Sequence, residues 1–211
     1  MAALASITIG DTEQSWRDAW FDVEAGWCRI GDISIELVGV AGPRGIRSIG
    51  LHGIERDRGE IDGLPFHRAE PGVEIGAGDH SNGATVIDHL VVMTPDCDRT
   101  TDALQANDIE LRRVRTFDID GSTRRQSFFW LGATILELVG DDTAHGAGPA
   151  VPWGLAISVA DIDTTCAALG PAISEPRVAV QTGRRIATLR HRDLGISVPI
   201  AFMTPHLDSG V

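Results

Sequence analysis

Two glutamates stand where a carboxylate is costly. Residues 31–39 read GDISIELVG and residues 132–140 read GATILELVG, identical at five of nine positions, with Glu36 and Glu137 in register. In TILELVG, strand alternation puts Ile135, Glu137 and Val139 on one face and Leu136 and Leu138 on the other. An ionised carboxylate among such neighbours must meet a cation, an arginine or a water-filled pocket. Upstream, HLVVM sets His89 on a face with Val91 and Met93. A His–Glu pair aimed into one pocket is half of a metal site, with donors that suit Zn, Ni, Fe or Mn. Two donors fall short of the three that a catalytic zinc ordinarily takes. His80, His52 and Glu36 are the other candidates to complete the set. A metal-free polar pocket and an exposed strand face stay open as alternatives.

A second polar group lies in VQTGRRIATLR, residues 180–190, with Gln181, Arg184 and Arg185. Alternation divides Arg185, Ala187 and Leu189 from Arg184, Ile186, Thr188 and Arg190. An arginine facing a pocket would clamp a carboxylate or other oxyanion, and Arg125 and Gln126 offer the same from another strand. Solvated arginines that guard a sheet edge are the alternative. Trp130 and Trp153 are candidates for an apolar pocket wall or for core packing.

Several chemistries are excluded. All 18 basic residues are arginine, so lysine Schiff bases and a P-loop lysine are ruled out, and tyrosine is absent too. Cys28, Cys97 and Cys166 are isolated and odd in number, which indicates neither a disulfide framework nor a paired-cysteine metal site. A net charge of −12 argues against nucleic acid or an anionic membrane as the partner. With no long apolar run, the chain is expected to be soluble and cytoplasmic.

The elements that must position these residues repeat. HLVVMTPDCDRTTDALQ (89–105) matches GLAISVADIDTTCAALG (154–170): an apolar strand, an Asp-containing cap at Asp96 or Asp161, then a short helix. A strand–helix–strand–strand–strand unit is expected at 85–141, again at 152–204, and in divergent form within 1–60, where Thr12 or Asp11 caps the helix. Residues 55–83 read as a long loop, so a linker is drawn at 61–84 and a tail at 205–211. One unit covers one face of its sheet with its helix and leaves the other open. Two units are therefore expected to pair into a curved cup at 85–204. In this alignment Gly154 falls at the position of His89, Ile200 at that of Glu137, and Leu4 at the His position of the first unit.

VIDHLVVMTPDCDRTTDAL (86–104) and FFWLGATILELVG (128–140) resemble the opening strand and helix and the closing hairpin of the vicinal oxygen chelate superfamily. That family includes glyoxalases, extradiol dioxygenases, methylmalonyl-CoA epimerases and bleomycin-resistance proteins. The resemblance implies an α+β fold of βαβββ modules, two of them forming a glyoxalase-like cup, with an additional N-terminal module. It also implies His89 and Glu137 as ligands of one divalent metal, with Glu137 moving a proton on a small molecule bearing neighbouring oxygens. Gln181, Arg184, Arg185, Arg125, Gln126, Trp130 and Trp153 are then candidates to contact that molecule. The implied activity is a lyase, isomerase or epimerase, with a metal-free ligand-binding or resistance protein as the alternative and a homodimer as the oligomer to expect.

Overall fold

The computed structural model describes residues 1–69 and 78–205. Its first part runs β1 (Ala3–Ile9), α1 (Glu13–Asp18), β2 (Trp27–Ile30), β3 (Ile33–Leu37), β4 (Ile46–His52), β5 (Arg58–Ile61) and β6 (Leu64–Arg68). The second runs β7 (Ala84–Met93), α2 (Cys97–Gln105), β8 (Leu111–Ile119), β9 (Ser122–Leu131) and β10 (Thr134–Asp141). It continues through β11 (Val151–Val159), α3 (Ile162–Leu169), β12 (Arg177–Val178), β13 (Arg185–Thr188) and β14 (Ile200–Met203).

Two curved mixed sheets result, and the fold is the α+β architecture of repeated βαβββ modules. The larger has the order β12-β13-β14-β11-β7-β10-β9-β8. Within each of its modules the last strand lies parallel to the first: β10 beside β7 and β14 beside β11. The two first strands, β7 and β11, pair antiparallel and join the modules across a local two-fold. Helices α2 and α3 are capped alike, Asp96 Oδ1 accepting from Arg99 N at 2.9 Å and Asp161 Oδ1 from Thr164 N at 2.6 Å. Each helix buries residues at i, i+3 and i+7: Cys97, Thr100 and Leu104 in α2, and Ile162, Thr165 and Leu169 in α3.

The packed side holds Leu90, Val92, Phe129, Leu131, Leu136 and Leu138 with Ile157, Val159, Ile200 and Phe202, all essentially inaccessible. Each such side chain stabilises the fold by about 1.5–3 kcal/mol relative to exposure. Alternation turns the partly buried Val91, Gln126, Phe128, Ile135, Glu137 and Val139 the other way, toward the cup.

The N-terminal part departs from the expected single module and loop. Strand β3 runs parallel to β1, but β1 pairs antiparallel with β4, as β7 does with β11. Strand β4 thus opens a second, helix-free unit completed by β5 and β6, and the six-stranded order is β2-β3-β1-β4-β6-β5. The stretch read as loop and linker therefore contains two strands. They meet at Asp62-Gly63, whose φ values of 50° and 87° match those at Asp120-Gly121, 50° and 80°, between β8 and β9. Asp-Gly with both φ positive is the tight-hairpin signature, and IDG occurs at both places. Residues 70–77 of the expected linker and 206–211 of the expected tail lie outside the described residues.

Asp11 ties the two ends of the chain together. Thr12, not Asp11, caps α1, its Oγ1 accepting from Ser15 N at 3.2 Å. The Asp11 carboxylate is fully buried and accepts from Arg44 Nη2 and Ser197 Oγ, each at 2.7 Å, and from Trp16 Nε1 at 3.2 Å. It also accepts from Ser197 N at 3.1 Å. Asp11→Ala leaves these donors unanswered and is expected to cost about 3–5 kcal/mol, measured by urea unfolding.

Candidate functional site

The seam between β7 and β11 has a register shift at the residues that matter. His89 lies opposite Ala156 and Ile87 opposite Ile157, so Asp88 is one residue more than its partner strand supplies. The bulge breaks alternation and lets the side chains of Asp88 and His89, both buried, meet through Oδ2 and Nδ1. Their closeness in sequence bends this contact away from a linear hydrogen bond.

Asp88 is held on its other side by Arg184, itself only 2% exposed. Arg184 Nη2 donates to Oδ1 at 2.8 Å and Nη1 to Oδ2 at 3.1 Å, while Nε donates to the Thr204 carbonyl at 2.8 Å. Ser158 Oγ donates to Oδ1 at 3.1 Å. Burial works to raise the Asp88 carboxyl, but the close His89 ring and the hydrogen bonds and positive charge of Arg184 outweigh it and hold the group well below the ordinary carboxylate range.

Glu137 has the opposite balance. It lies two residues beyond Ile135, the partner of His89, and directly opposite Phe128, whose ring meets the His89 imidazole edge-on at 6.5 Å between centroids. Gln126 Nε2 donates to Glu137 Oε1 at 2.5 Å. Burial among Val91, Phe128, Ile135 and Val139 pushes its carboxyl up; His89, Gln126 and Arg115 offset part of the rise, and Asp88 adds to it. The result is an acid whose proton is held more firmly, next to a histidine backed by one that stays ionised.

The other expected residues are distributed differently. Gln126 joins the site. Arg184 is close to it but faces Asp88 rather than a ligand, because its fork is fully used inside the protein. Arg185 is half-exposed and pairs with Asp163 of α3 at 2.7 Å, and Gln181 contributes its carbonyl to the turn before Arg184. Arg125 is spent on Asp98 and Asp142 near the start of α2. Trp153 is half-exposed at the start of β11. Trp130 lines a cavity of about 440 Å³ between the two sheets, with Leu4, Ile33, Ile87, Asp88 and Ile135 among its walls. Burial raises all three cysteine thiols, which favours the thiol over the nucleophilic thiolate.

A divalent metal does not fit the donor set of the described residues. Among the described residues no group of three His, Cys, Asp or Glu side chains is placed to hold a metal ion. His80 is locked between Asp22 N, at 2.9 Å, and the Arg29 carbonyl, at 2.8 Å. Glu36 takes a hydrogen bond from Thr8 in the other sheet, and His52 is exposed at the end of β4. The partner module supplies nothing. The seam pairs His89 with Ala156 and, reciprocally, Gly154 with Val91, so Gly154 holds the His89 position; Ala201, the partner of Ala156, stands at that of Glu137, rather than Ile200. In the first sheet Ser6, not Leu4, takes the His position.

Paired βαβββ modules that close a cup give this chain the glyoxalase-like fold. A variant of 4-hydroxymandelate synthase from Streptomyces coelicolor superimposes with a TM-score of 0.70 at 10% identity, covering 99% of this chain and 94% of that one. A xylose isomerase-like TIM barrel/4-hydroxyphenylpyruvate dioxygenase fusion protein gives 0.65 at 11% identity, covering 99% of this chain and 49% of that one. At these identities the likeness is one of fold. No family model and no curated sequence matches. Among the described residues no helix is long and apolar enough to cross a membrane.

Removing either partner of the buried Arg184–Asp88 pair strands a charge, so Arg184→Met is expected to cost about 3–5 kcal/mol in urea unfolding. Asp88 has a folded pKa below its unfolded value of about 3.9. It therefore adds stability above that value, which is lost as pH falls toward the folded pKa. Unfolding measured at pH 7 and pH 3 should show this loss, and Asp88→Asn should lessen it.

Proposed function

We propose that the chain is a glyoxalase-like enzyme of the isomerase or epimerase type. Its work is to move a proton on a small molecule that carries neighbouring oxygens, with Glu137 and His89 as the proton-carrying groups. One arrangement carries this reading: His89 meets a carboxylate gripped by Arg184 and faces a second one set among apolar side chains, surroundings that push the Asp88 carboxyl down and the Glu137 carboxyl up. Such divergence separates a group that stays charged and orients from one that exchanges a proton.

Glu137 takes a proton from the carbon beside a carbonyl, where the developing negative charge spreads onto oxygen. His89 in its protonated form returns a proton to the same carbon or its neighbour, and the reverse direction exchanges the roles. Asp88 supports the imidazolium by staying ionised. Gln126 orients the Glu137 carboxylate, and Val91, Phe128, Ile135 and Val139 keep the surroundings apolar. Because the donors do not assemble a metal site, no step runs through a metal.

The donor set and the exposed Trp153 also support a second reading, that the cup is a metal-free binding protein. Deuterium exchange separates the two. A panel of 2-hydroxy ketones and of 2-hydroxy and 2-oxo acids is incubated with the protein in D2O and followed by NMR. The expected result is exchange at the carbon beside the carbonyl, unchanged by EDTA and reduced about 10²–10⁴-fold in Glu137→Gln. Binding without exchange across the panel would favour the second reading.

The pH dependence has a definite sign. Glu137 acts deprotonated, and burial raises its pKa, so the acidic limb of the rate profile should lie above the ordinary glutamate value of about 4.3.

A further inference from the structure

We infer that Arg184 is a positioning residue, which by gripping Asp88 holds the ring proton of His89 on Nδ1 and leaves Nε2 as the nitrogen presented to the cup. The inference rests on the proposed proton transfer for its use, but the arrangement it describes is a property of the chain alone.

The argument begins with the bulge. A regular β7 would turn Asp88 and His89 to opposite faces; the extra residue opposite β11 brings their side chains into contact. Asp88 cannot turn away, because three donor groups hold its two oxygens. Arg184 Nη2 and Ser158 Oγ reach Oδ1 at 2.8 and 3.1 Å, and Arg184 Nη1 reaches Oδ2 at 3.1 Å. Arg184 is fixed in turn by Nε on the Thr204 carbonyl at 2.8 Å and by Nη2 on Ser158 Oγ at 3.2 Å. Both side chains of the pair are at least nine-tenths buried, at 2% and 4% exposure, so solvent screens little of the interaction.

The contact is too bent for a regular hydrogen bond, but an ionised carboxylate repels a lone pair and attracts an N–H, so the ring nitrogen that meets Asp88 Oδ2 is the one bearing a proton. That nitrogen is Nδ1. In the neutral imidazole the lone pair then sits on Nε2, and when the ring takes up a proton it does so there. Among the described residues, the groups facing the ring are Asp88 on its own strand, Phe128 on β9 and Glu137 on β10. Among them only Asp88 is anchored by a buried cation.

A guanidinium suits this task because it donates two roughly parallel hydrogen bonds in one plane, which fixes both the place and the rotation of the carboxylate. A purely structural ion pair would tie the segment before β13 to β7 equally well, but would leave the histidine tautomer indifferent to it. The tautomer is therefore the readout.

The full-length protein is labelled with ¹⁵N-histidine, and the His89 signals are assigned by their loss in His89→Asn. Long-range nitrogen–proton spectra are recorded without any substrate, above the ordinary histidine pKa of about 6.5. Nδ1–H is expected to predominate in the wild type. In Asp88→Asn and in Arg184→Lys the ratio of Nδ1–H to Nε2–H is expected to fall several-fold, with the fold retained as judged by the remaining amide spectrum. If Arg184→Lys fails to fold, the double variant Asp88→Asn/Arg184→Met removes both charges together and should show the same fall. A wild type with Nε2–H predominant overturns the inference, as does an unchanged ratio in the folded variants. Since no turnover is measured, failure of the proposed activity leaves this result standing. Exchange activity with the wrong tautomer would overturn the positioning role alone.

Discussion

The antiparallel seam between β7 and β11 is the constraint on which the site depends. It joins two modules that would each leave one face of a sheet open, and so creates the cup. The same seam contains the bulge at Asp88, which departs from strict alternation at the one position where alternation would part a carboxylate from its histidine. A regular ladder would keep Asp88 and His89 on opposite faces. Packing and chemistry thus meet in a single irregularity, and the buried guanidinium of Arg184 makes that irregularity tolerable by answering the charge it introduces.

The two modules of the large sheet contribute unequally. One offers His89 and Glu137; the other places Gly154 and Ala201 at the corresponding positions and supplies Arg184 and Ser158. This asymmetry moves the chemistry away from shared metal coordination. On the proposed reading, what remains is a pair of proton-carrying groups with an ionised carboxylate behind one of them. The N-terminal sheet repeats the architecture with other contents. Its Glu36 answers Thr8, and Ser6 stands where the larger sheet has His89, so the twin glutamates share a strand position but not an environment.

Much of the fold was legible in the chain. The caps at Asp96 and Asp161, the alternation of TILELVG and the match between residues 89–105 and 154–170 all follow from local rules of hydrogen bonding and side-chain direction. The first sheet was less so. Strands β5 and β6 lie in a stretch rich in charge and glycine, where composition suggests a loop. The Asp-Gly at 62–63 was the available signal, since it repeats the Asp-Gly at 120–121 that turns another hairpin. Local composition lost there to pairing with a distant strand, β4.

The sequence by itself determined the module, its helix caps and the glutamate on the cup face of β10, because these depend on residues close together in the chain. It also supplied His89 and Gln126 as candidates for that face. Only the tertiary structure decided what surrounds them. Whether an arginine clamps a ligand or a neighbour depends on which strands meet: Arg184 reaches Asp88 across 96 positions of sequence, while Arg185 beside it turns to Asp163. The bulge is likewise invisible from β7 alone, since it is defined by the count of residues on the opposing strand. Neighbouring side chains follow local geometry, whereas their partners, and through them their acidity, are set by contacts that only the closed fold brings about.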